Sequence, residues 1–375
     1  MVSEKTLPAF INFFKQNCFI IFKSIEREKG MKFIKFLMLL TPFLFYSCST
    51  SYKNVFPTLN DGKYDSEFPY MAASNQLEEI SNTIQRVNCI AFYDSYQLKD
   101  GSKVKKIELN EETINENLKG NIYYERTSSG TATILSKENG YVALLTAAHI
   151  VNFPDTVITY FSDAKGLYTD YIESISVKQS QKNYIAGFPN GSEVNILLLN
   201  DDIDVALLGN KYKPSFTISL HVFNYPNGNA KELDWGNFVY FFGYPLNYKM
   251  ISKGIVSSPS YDKDGSFLID GVVNRGFSGG IVLAVRDGVP NFELIGIIQW
   301  MPEETFSVLT PPKSLTNYNK LVPYHGSEYV DQLRLYKYGI TKVIPINVIE
   351  NYIRKNENYL IEKGYDLKNF YPQKK

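Results

Sequence analysis

From about residue 89 onward the apolar residues fall in short runs, too short and too closely spaced for helices. The runs are Cys89–Tyr93, Thr131–Ser136, Tyr141–Thr146, Thr156–Phe161, Tyr171–Lys178, Val194–Leu199, Val205–Leu208, Phe238–Phe242, Ile255–Ser258, Phe267–Ile269, Ile281–Val285 and Leu294–Trp300. They are rich in Val, Ile, Tyr and Phe, the residues that pack well on a pleated surface. Turn pairs separate several of them: Asn139-Gly140, Asn190-Gly191, Asn227-Gly228, Asp264-Gly265 and Asp287-Gly288. Many short strands at this spacing predict an all-β fold, a sandwich or barrels, and argue against a parallel α/β sheet. Helical spacing occurs at the two ends of this region. Leu77, Ile80, Ile84 and Val87 predict a helix over Asn75–Val87, with Ser74 as its N-cap, and Val348, Ile349, Tyr352 and Ile353 predict one over Asn347–Ile361.

The N-terminal quarter reads differently. Lys32 and Lys35 precede an apolar run, Phe36–Tyr46, of signal-peptide length and too short to span a bilayer comfortably. Leu44-Phe45-Tyr46-Ser47-Cys48 resembles a bacterial lipobox with a small residue directly before the Cys. On this reading residues 1–47 are upstream residues plus a lipoprotein signal, translation starts at Met31, and Cys48 becomes the lipidated first residue. The alternatives are an ordinary signal peptide or a short anchor helix with an incidental Cys. Residues 48–75 are polar and aperiodic and are expected to be a tether, residues 76–365 the folded domain, and residues 366–375 a tail.

Composition narrows the function classes. Lys plus Arg is 39 and Asp plus Glu is 39, so the chain lacks the positive footprint of a nucleic-acid binder. Removing residues 1–47 takes away 7 basic and 3 acidic residues and leaves a mildly acidic chain. Three Cys cannot build a disulfide scaffold, and no C-x-x-C knuckle is present. No metal or cofactor is expected. The internal thiol, Cys89, lies in a strand-like run and reads as a small core residue.

Three segments carry chemistry. Leu144-Leu145-Thr146-Ala147-Ala148-His149 runs an apolar strand into a His, Asp204-Val205-Ala206-Leu207-Leu208 puts an acid at a strand head, and Gly276-Phe277-Ser278-Gly279-Gly280 sets a Ser in a glycine-rich turn. A Ser hydroxyl is a weak nucleophile until a base takes its proton, and imidazole titrates nearest neutrality. A carboxylate fixes the imidazole tautomer, and backbone N–H groups must meet the charge that develops on the carbonyl oxygen. In this scheme His149 is the base, Asp204 its orienter (ahead of Asp201 and Asp202), Ser278 the nucleophile, and the N–H groups of Gly276 and Ser278 the oxyanion donors.

The order His149, Asp204, Ser278 and the surrounding segments resemble a trypsin-like serine protease, most nearly the bacterial HtrA/DegP type without a PDZ domain. Gly130-Thr131-Ala132, Gly243-Tyr244-Pro245, Ser252-Lys253-Gly254-Ile255-Val256-Ser257, Ile295 to Trp300, and Gly339-Ile340 with Ile344-Pro345-Ile346-Asn347 carry the rest of the likeness. It implies two six-stranded antiparallel β-barrels with an N-terminal and a C-terminal helix, and a serine endopeptidase acting on envelope or extracellular proteins. It also implies a substrate pocket at Val272, Val273, Gln299 and Trp300, with Ile295–Trp300 pairing with substrate backbone. No carboxylate stands at the pocket base, so an apolar residue is expected before the cut bond. Partners would be protein or peptide substrates and, through Cys48, a membrane; family members often trimerise, which leaves a homo-oligomer open. Localisation would be the bacterial cell envelope.

Departures keep another class open. Family members usually carry Asp or Asn where Phe277 stands, Met301-Pro302 replaces a common Gly, and residues 302–338 form a Pro-bearing insertion. A catalytically impaired protease-fold module that binds unfolded or envelope proteins is the alternative, and a zymogen-like oxyanion loop a third reading.

Overall fold

The apolar runs become the staves of two closed barrels in a computed structural model of the chain, which describes residues 60–371 apart from 70, 164–167, 189–192, 213–219, 301–302, 312–320, 327 and 337–338. The lipobox segment and Cys48 lie outside the described residues. The first barrel closes through β1 (Ile84–Leu98), β2 (Leu118–Glu138), β3 (Tyr141–Ala147), β7 (Val205–Lys211), β6 (Glu193–Asn200) and β5 (Tyr168–Ile185), because β1 pairs with β5 as well as with β2. A further strand, β4 (Thr156–Ser162), pairs with β5 outside the ring. The second barrel runs β10 (Phe267–Gly271), β15 (Gly339–Pro345), β12 (Phe292–Trp300), β11 (Ile281–Val285), β8 (Phe238–Gly243) and β9 (Met250–Ser258). Every strand pairing within the two barrels is antiparallel among the described residues. The fold is thus two six-stranded antiparallel barrels, the arrangement the resemblance implied.

The continuous apolar runs have a physical cause. In β3, Val142 and Leu144 point into the first barrel, while Ala143 and Leu145 point into a cluster that also takes Phe242, Ile281, Ile297 and Ile344 from the second. In β11, Val282 and Ala284 fill the second barrel and Ile281 and Leu283 face that shared layer. Strands covered on both faces cannot alternate with polar residues. A helix, α4 (Ile346–Lys355), completes the shared layer with Ile346, Ile349 and Ile353.

Several boundaries differ from the sequence pattern. The N-terminal helix, α1 (Ser74–Asn82), ends before Ile84 and Val87, which are fully buried in β1. Positions 80, 84 and 87 suit a helix face, but both the hydroxyl and the N–H of Thr83 turn back onto the Ile80 carbonyl and stop it. The C-terminal helix breaks at Asn356 into α4 and α5 (Glu357–Glu362). A one-turn helix, α3 (Ala148–Val151), follows β3, and α2 (Glu111–Asn117) forms in the acidic excursion, capped by Asn110. The insertion at 302–338 contains a hairpin of β13 (Glu303–Thr310) and β14 (Tyr329–Tyr336). β15, outside the expected set of strands, is required to close the second barrel.

The segment read as a tether is bound to the second barrel where it is described. Asp65 N–H donates to the Val285 carbonyl, Phe238 N–H to the Asp65 carbonyl, and the Tyr64 hydroxyl to Glu293 at 2.7 Å, under the Arg286 guanidinium. Burial and the Glu293 carboxylate push the Tyr64 phenol well above its usual range. Cys89 is buried in the first barrel, and burial pushes its thiol up to about 12, which leaves it an unreactive core residue.

Candidate active site

β3 and β7 run side by side, with Ala147 opposite Val205, so the residues at their adjacent ends meet: His149 on α3 and Asp204 in the turn before β7. His149 N–H donates to Asp204 Oδ1 at 2.8 Å, and His149 Nδ1 lies 3.1 and 2.9 Å from Asp204 Oδ1 and Oδ2. Ala148 N–H donates to the Asp204 carbonyl. The carboxylate only accepts, so neutral His149 carries its proton on Nδ1 and keeps the Nε2 lone pair free. Asp204 is 8% exposed, whereas the His149 side chain is 44% exposed. One face of the ring is therefore held and the other is open to a reactant. Asp204 reaches this position with φ +54, a left-handed conformation that Asp tolerates better than most residues and that costs about 1 kcal/mol or more. Of its neighbours, Asp201 instead accepts from Asn152, which separates the orienting acid from its competitor.

Ser278 sits half-buried in the turn between β10 and β11. The turn is fastened to both barrels. Thr131 N–H donates to the Ser278 carbonyl at 2.9 Å, and Thr131 Oγ1 donates to the Gly276 carbonyl at 2.6 Å. Gly279 N–H donates to the Ile298 carbonyl in β12, and Thr146 Oγ1 to the Thr131 carbonyl. Two glycines make this approach feasible. Gly276 has φ +107 and a Cβ there would lie 2.3 Å from the Tyr244 carbonyl; Gly279 has φ +79 and a Cβ would lie 2.3 Å from the Thr131 carbonyl and 2.9 Å from Ala147 N. Gly279 thus touches the backbone two residues before His149. Among the described residues no hydrogen bond joins the Ser278 hydroxyl to His149, and in unliganded enzymes such bonds are often long.

The N–H groups around the turn are not equivalent. Those of Phe277, Gly279 and Gly280 donate to the carbonyls of Asn274, Ile298 and Phe277. Those of Gly276 and Ser278 have no protein acceptor among the described residues. They are the pair expected to receive an oxyanion.

Phe277 explains how the turn is steadied without an acid. Its ring is 1% exposed, packs edge-on to Phe241 at 5.5 Å, and lies over Gly243, where a Cβ would come within 2.5 Å of it. A ring buried this fully contributes about 2–3 kcal/mol, which ties the turn to the core of the second barrel.

The expected pocket residues separate. Val272 is 65% exposed, while Val273 is packed in the second-barrel core beside Phe277. Gln299 lines a crevice with Asp202 and Lys342, and its buried Oε1 has no hydrogen-bond partner among the described residues. Trp300 pairs with Lys342 through its backbone, and its side chain lies outside the described part. Sequence reasoning assigned no role to Thr131 and Thr146, both fully buried. Nothing in a Thr by itself marks it as the strut under a turn more than a hundred residues away.

Residues 130–297 match the family described as Trypsin-like peptidase domain, a span that contains His149, Asp204 and Ser278. No curated protein matches the chain in sequence. The family match and the two six-stranded barrels support a chymotrypsin-fold protease.

Proposed function

We propose that the chain is a serine endopeptidase of the HtrA/DegP type, using Ser278, His149 and Asp204. The observation that carries this reading is the His149–Asp204 pair, 2.9 Å at its shorter contact, beside a serine turn in which the N–H groups of Gly276 and Ser278, unlike those of Phe277, Gly279 and Gly280, have no acceptor among the described residues. Ser278 Oγ adds to the carbonyl carbon of the substrate peptide as His149 Nε2 takes the hydroxyl proton. The negative charge on the former carbonyl oxygen is met by the N–H groups of Gly276 and Ser278. The C–N bond then breaks and His149 delivers its proton to the leaving amine. Water attacks the acyl-enzyme by the same route, which frees the acid and restores Ser278. Asp204 stays ionised throughout and stabilises the imidazolium.

A fluorophosphonate probe tests this reading. Covalent labelling at Ser278, located by peptide mass spectrometry, is expected; absence of labelling in folded protein would overturn it. The insertion at 302–338 motivates a second reading, a protease-fold module that binds unfolded proteins without cutting them. That reading predicts substrate capture with no hydrolysis and no label.

The substrate class is extended polypeptide in the bacterial envelope, with an apolar residue before the cut bond. Cys48 would carry the lipid that holds the domain at the membrane. Fatty-acid incorporation that disappears in Cys48→Ser is the expected result; a Cys48→Ser protein that still carries lipid would sink the anchor assignment.

A further inference from the structure

The sequence predicts a tail from residue 366, but Tyr365, Leu367, Phe370 and Tyr371 are all buried in the layer shared by the two barrels. This segment lies outside residues 130–297, the span that matches the family.

The chain is aimed there by a local turn. Gly364 N–H donates to the Ile361 carbonyl and Tyr365 N–H to the Leu360 carbonyl, the pair of bonds that closes a helix on a left-handed residue. Gly364 supplies that conformation with φ +92, and a Cβ there would lie 2.6 Å from the Tyr141 ring. The turn sends Tyr365 back across the first barrel. Its ring stands edge-on to Tyr141 of β3 at 5.1 Å. It also covers Gly209 of β7, where a Cβ would come within 2.6 Å of the ring.

Both contacts fall on the strands that lead to the candidate base and acid. Tyr141 opens β3, which ends two residues before His149, and Gly209 lies in β7, which begins directly after Asp204. The two strands pair along their whole length and so move as one unit. At about 3.3 Å per residue, Tyr141 lies roughly 20 Å along β3 from Ala147.

The other end of the segment belongs to the second barrel. α4 buries Ile346, Ile349 and Ile353 with Ile297 of β12 and Ile344 of β15, and α5 follows α4 after one residue. β12 in turn holds the serine turn, through the bond from Gly279 N–H to the Ile298 carbonyl. Asn227, in the connection between β7 and β8, ties helix and segment together. Its Nδ2 donates to Glu350 Oε1 in α4 at 2.7 Å and to the Phe370 carbonyl at 2.6 Å. The Arg354 guanidinium of α4 covers the Tyr371 ring at 4.2 Å.

The division of the site between barrels gives this tie a task. His149 and Asp204 stand on the first barrel and Ser278 on the second. The apolar layer between them is non-directional and resists rotation only weakly. The bonds from Thr131 to the serine turn fix one point. One point is a pivot; a second, roughly 20 Å away along β3, fixes the angle.

We propose that Tyr365 is a positioning residue for the reaction: it sets the angle between the barrels, and with it the approach of His149 Nε2 to Ser278 Oγ. This rests on the endopeptidase reading and adds to it a residue that acts from the far end of β3.

Tyr365→Ala is expected to lower kcat about 10- to 100-fold, the effect that a misplacement of about 1 Å brings, with KM changed less than about 3-fold. Tyr365→Phe keeps the ring and should keep kcat within about 2-fold. The low-field NMR signal of the His149 Nδ1 proton should persist in Tyr365→Ala, because both partners of that bond stay on one barrel. Spin labels on Gln179→Cys in β5 and Ile255→Cys in β9, both exposed, read the barrels directly in a Cys18→Ser, Cys48→Ser background. One narrow distance is expected with Tyr365 present and a broader distribution with Tyr365→Ala. A kcat for Tyr365→Ala within about 3-fold of the unaltered protein, or an unchanged distance distribution, would overturn the proposal. So would loss of the His149 signal, since the ring would then act on the first barrel alone. If Tyr365→Ala fails to fold, Tyr365→Leu keeps apolar bulk without the ring and carries the same readouts. Failure of the endopeptidase reading is distinguishable: the unaltered protein would cut nothing, while the spin-label distances still show whether Tyr365 sets the angle.

Discussion

Ser278→Ala is expected to lower peptide hydrolysis by about 10⁶-fold and to abolish fluorophosphonate labelling while the protein stays folded. The size of the effect follows from the division of labour in the turn. The substitution removes the oxygen proposed as nucleophile and leaves the bonds that fix the loop, because those bonds run through the loop's backbone: Thr131 N–H to the Ser278 carbonyl and Gly279 N–H to the Ile298 carbonyl. Ser278 is not fully buried, so losing its hydroxyl leaves no empty polar site in a core. The thermal midpoint should therefore shift by no more than a few degrees. Hydrolysis of casein by Ser278→Ala within about 100-fold of the unaltered protein would mean that another group attacks the carbonyl.

Asp204→Asn is expected to lower kcat by about 10⁴-fold with a much smaller change in KM. The carboxylate has two jobs. Oδ1 accepts the His149 backbone N–H at 2.8 Å, which an amide oxygen could also do, so the local backbone should survive. The second job is to accept from His149 Nδ1 at 2.9 Å through Oδ2. An amide placed there can present an N–H, which favours the imidazole tautomer with its proton on Nε2, the wrong nitrogen to receive one from Ser278. The loss is thus one of proton transfer and not of binding. Asp202→Asn, which leaves the His149 contacts intact, should keep kcat unchanged. Steady-state kinetics on matched preparations decide the matter: a kcat for Asp204→Asn within about 10-fold of the unaltered protein would sink the assignment of Asp204 as orienting acid.

Legibility varied along the chain for physical reasons. The twelve expected strands all exist because strands buried on both faces, such as Ile281–Val285, write an unbroken apolar run into the sequence. β15 escaped the pattern: Gly339-Ile340-Thr341-Lys342 has a fully buried Thr and a Lys paired to Asp262, so burial here is partly polar. Helix α1 ends sooner than the apolar spacing predicts, because that spacing cannot distinguish its last turn from the first inward residues of β1. The outer half of β2 was invisible for the opposite reason. From Asn121 to Ser129 only Tyr124 and Ser128 are half-buried and the other residues are exposed, so too few positions select for apolar residues to write a run into the sequence.

By itself the sequence determined the all-β class and the local settings of the candidate chemistry. It placed a His after an apolar strand, an acid at a strand head, and a Ser between glycines, because each setting is made by residues adjacent in the chain. Contacts between distant segments decided the rest. Asp204, and not Asp201, faces the imidazole because β3 and β7 pair with Ala147 opposite Val205. The serine turn holds its shape because Thr131 and Ile298 grip one peptide from opposite barrels and Phe277 fills the core beneath it.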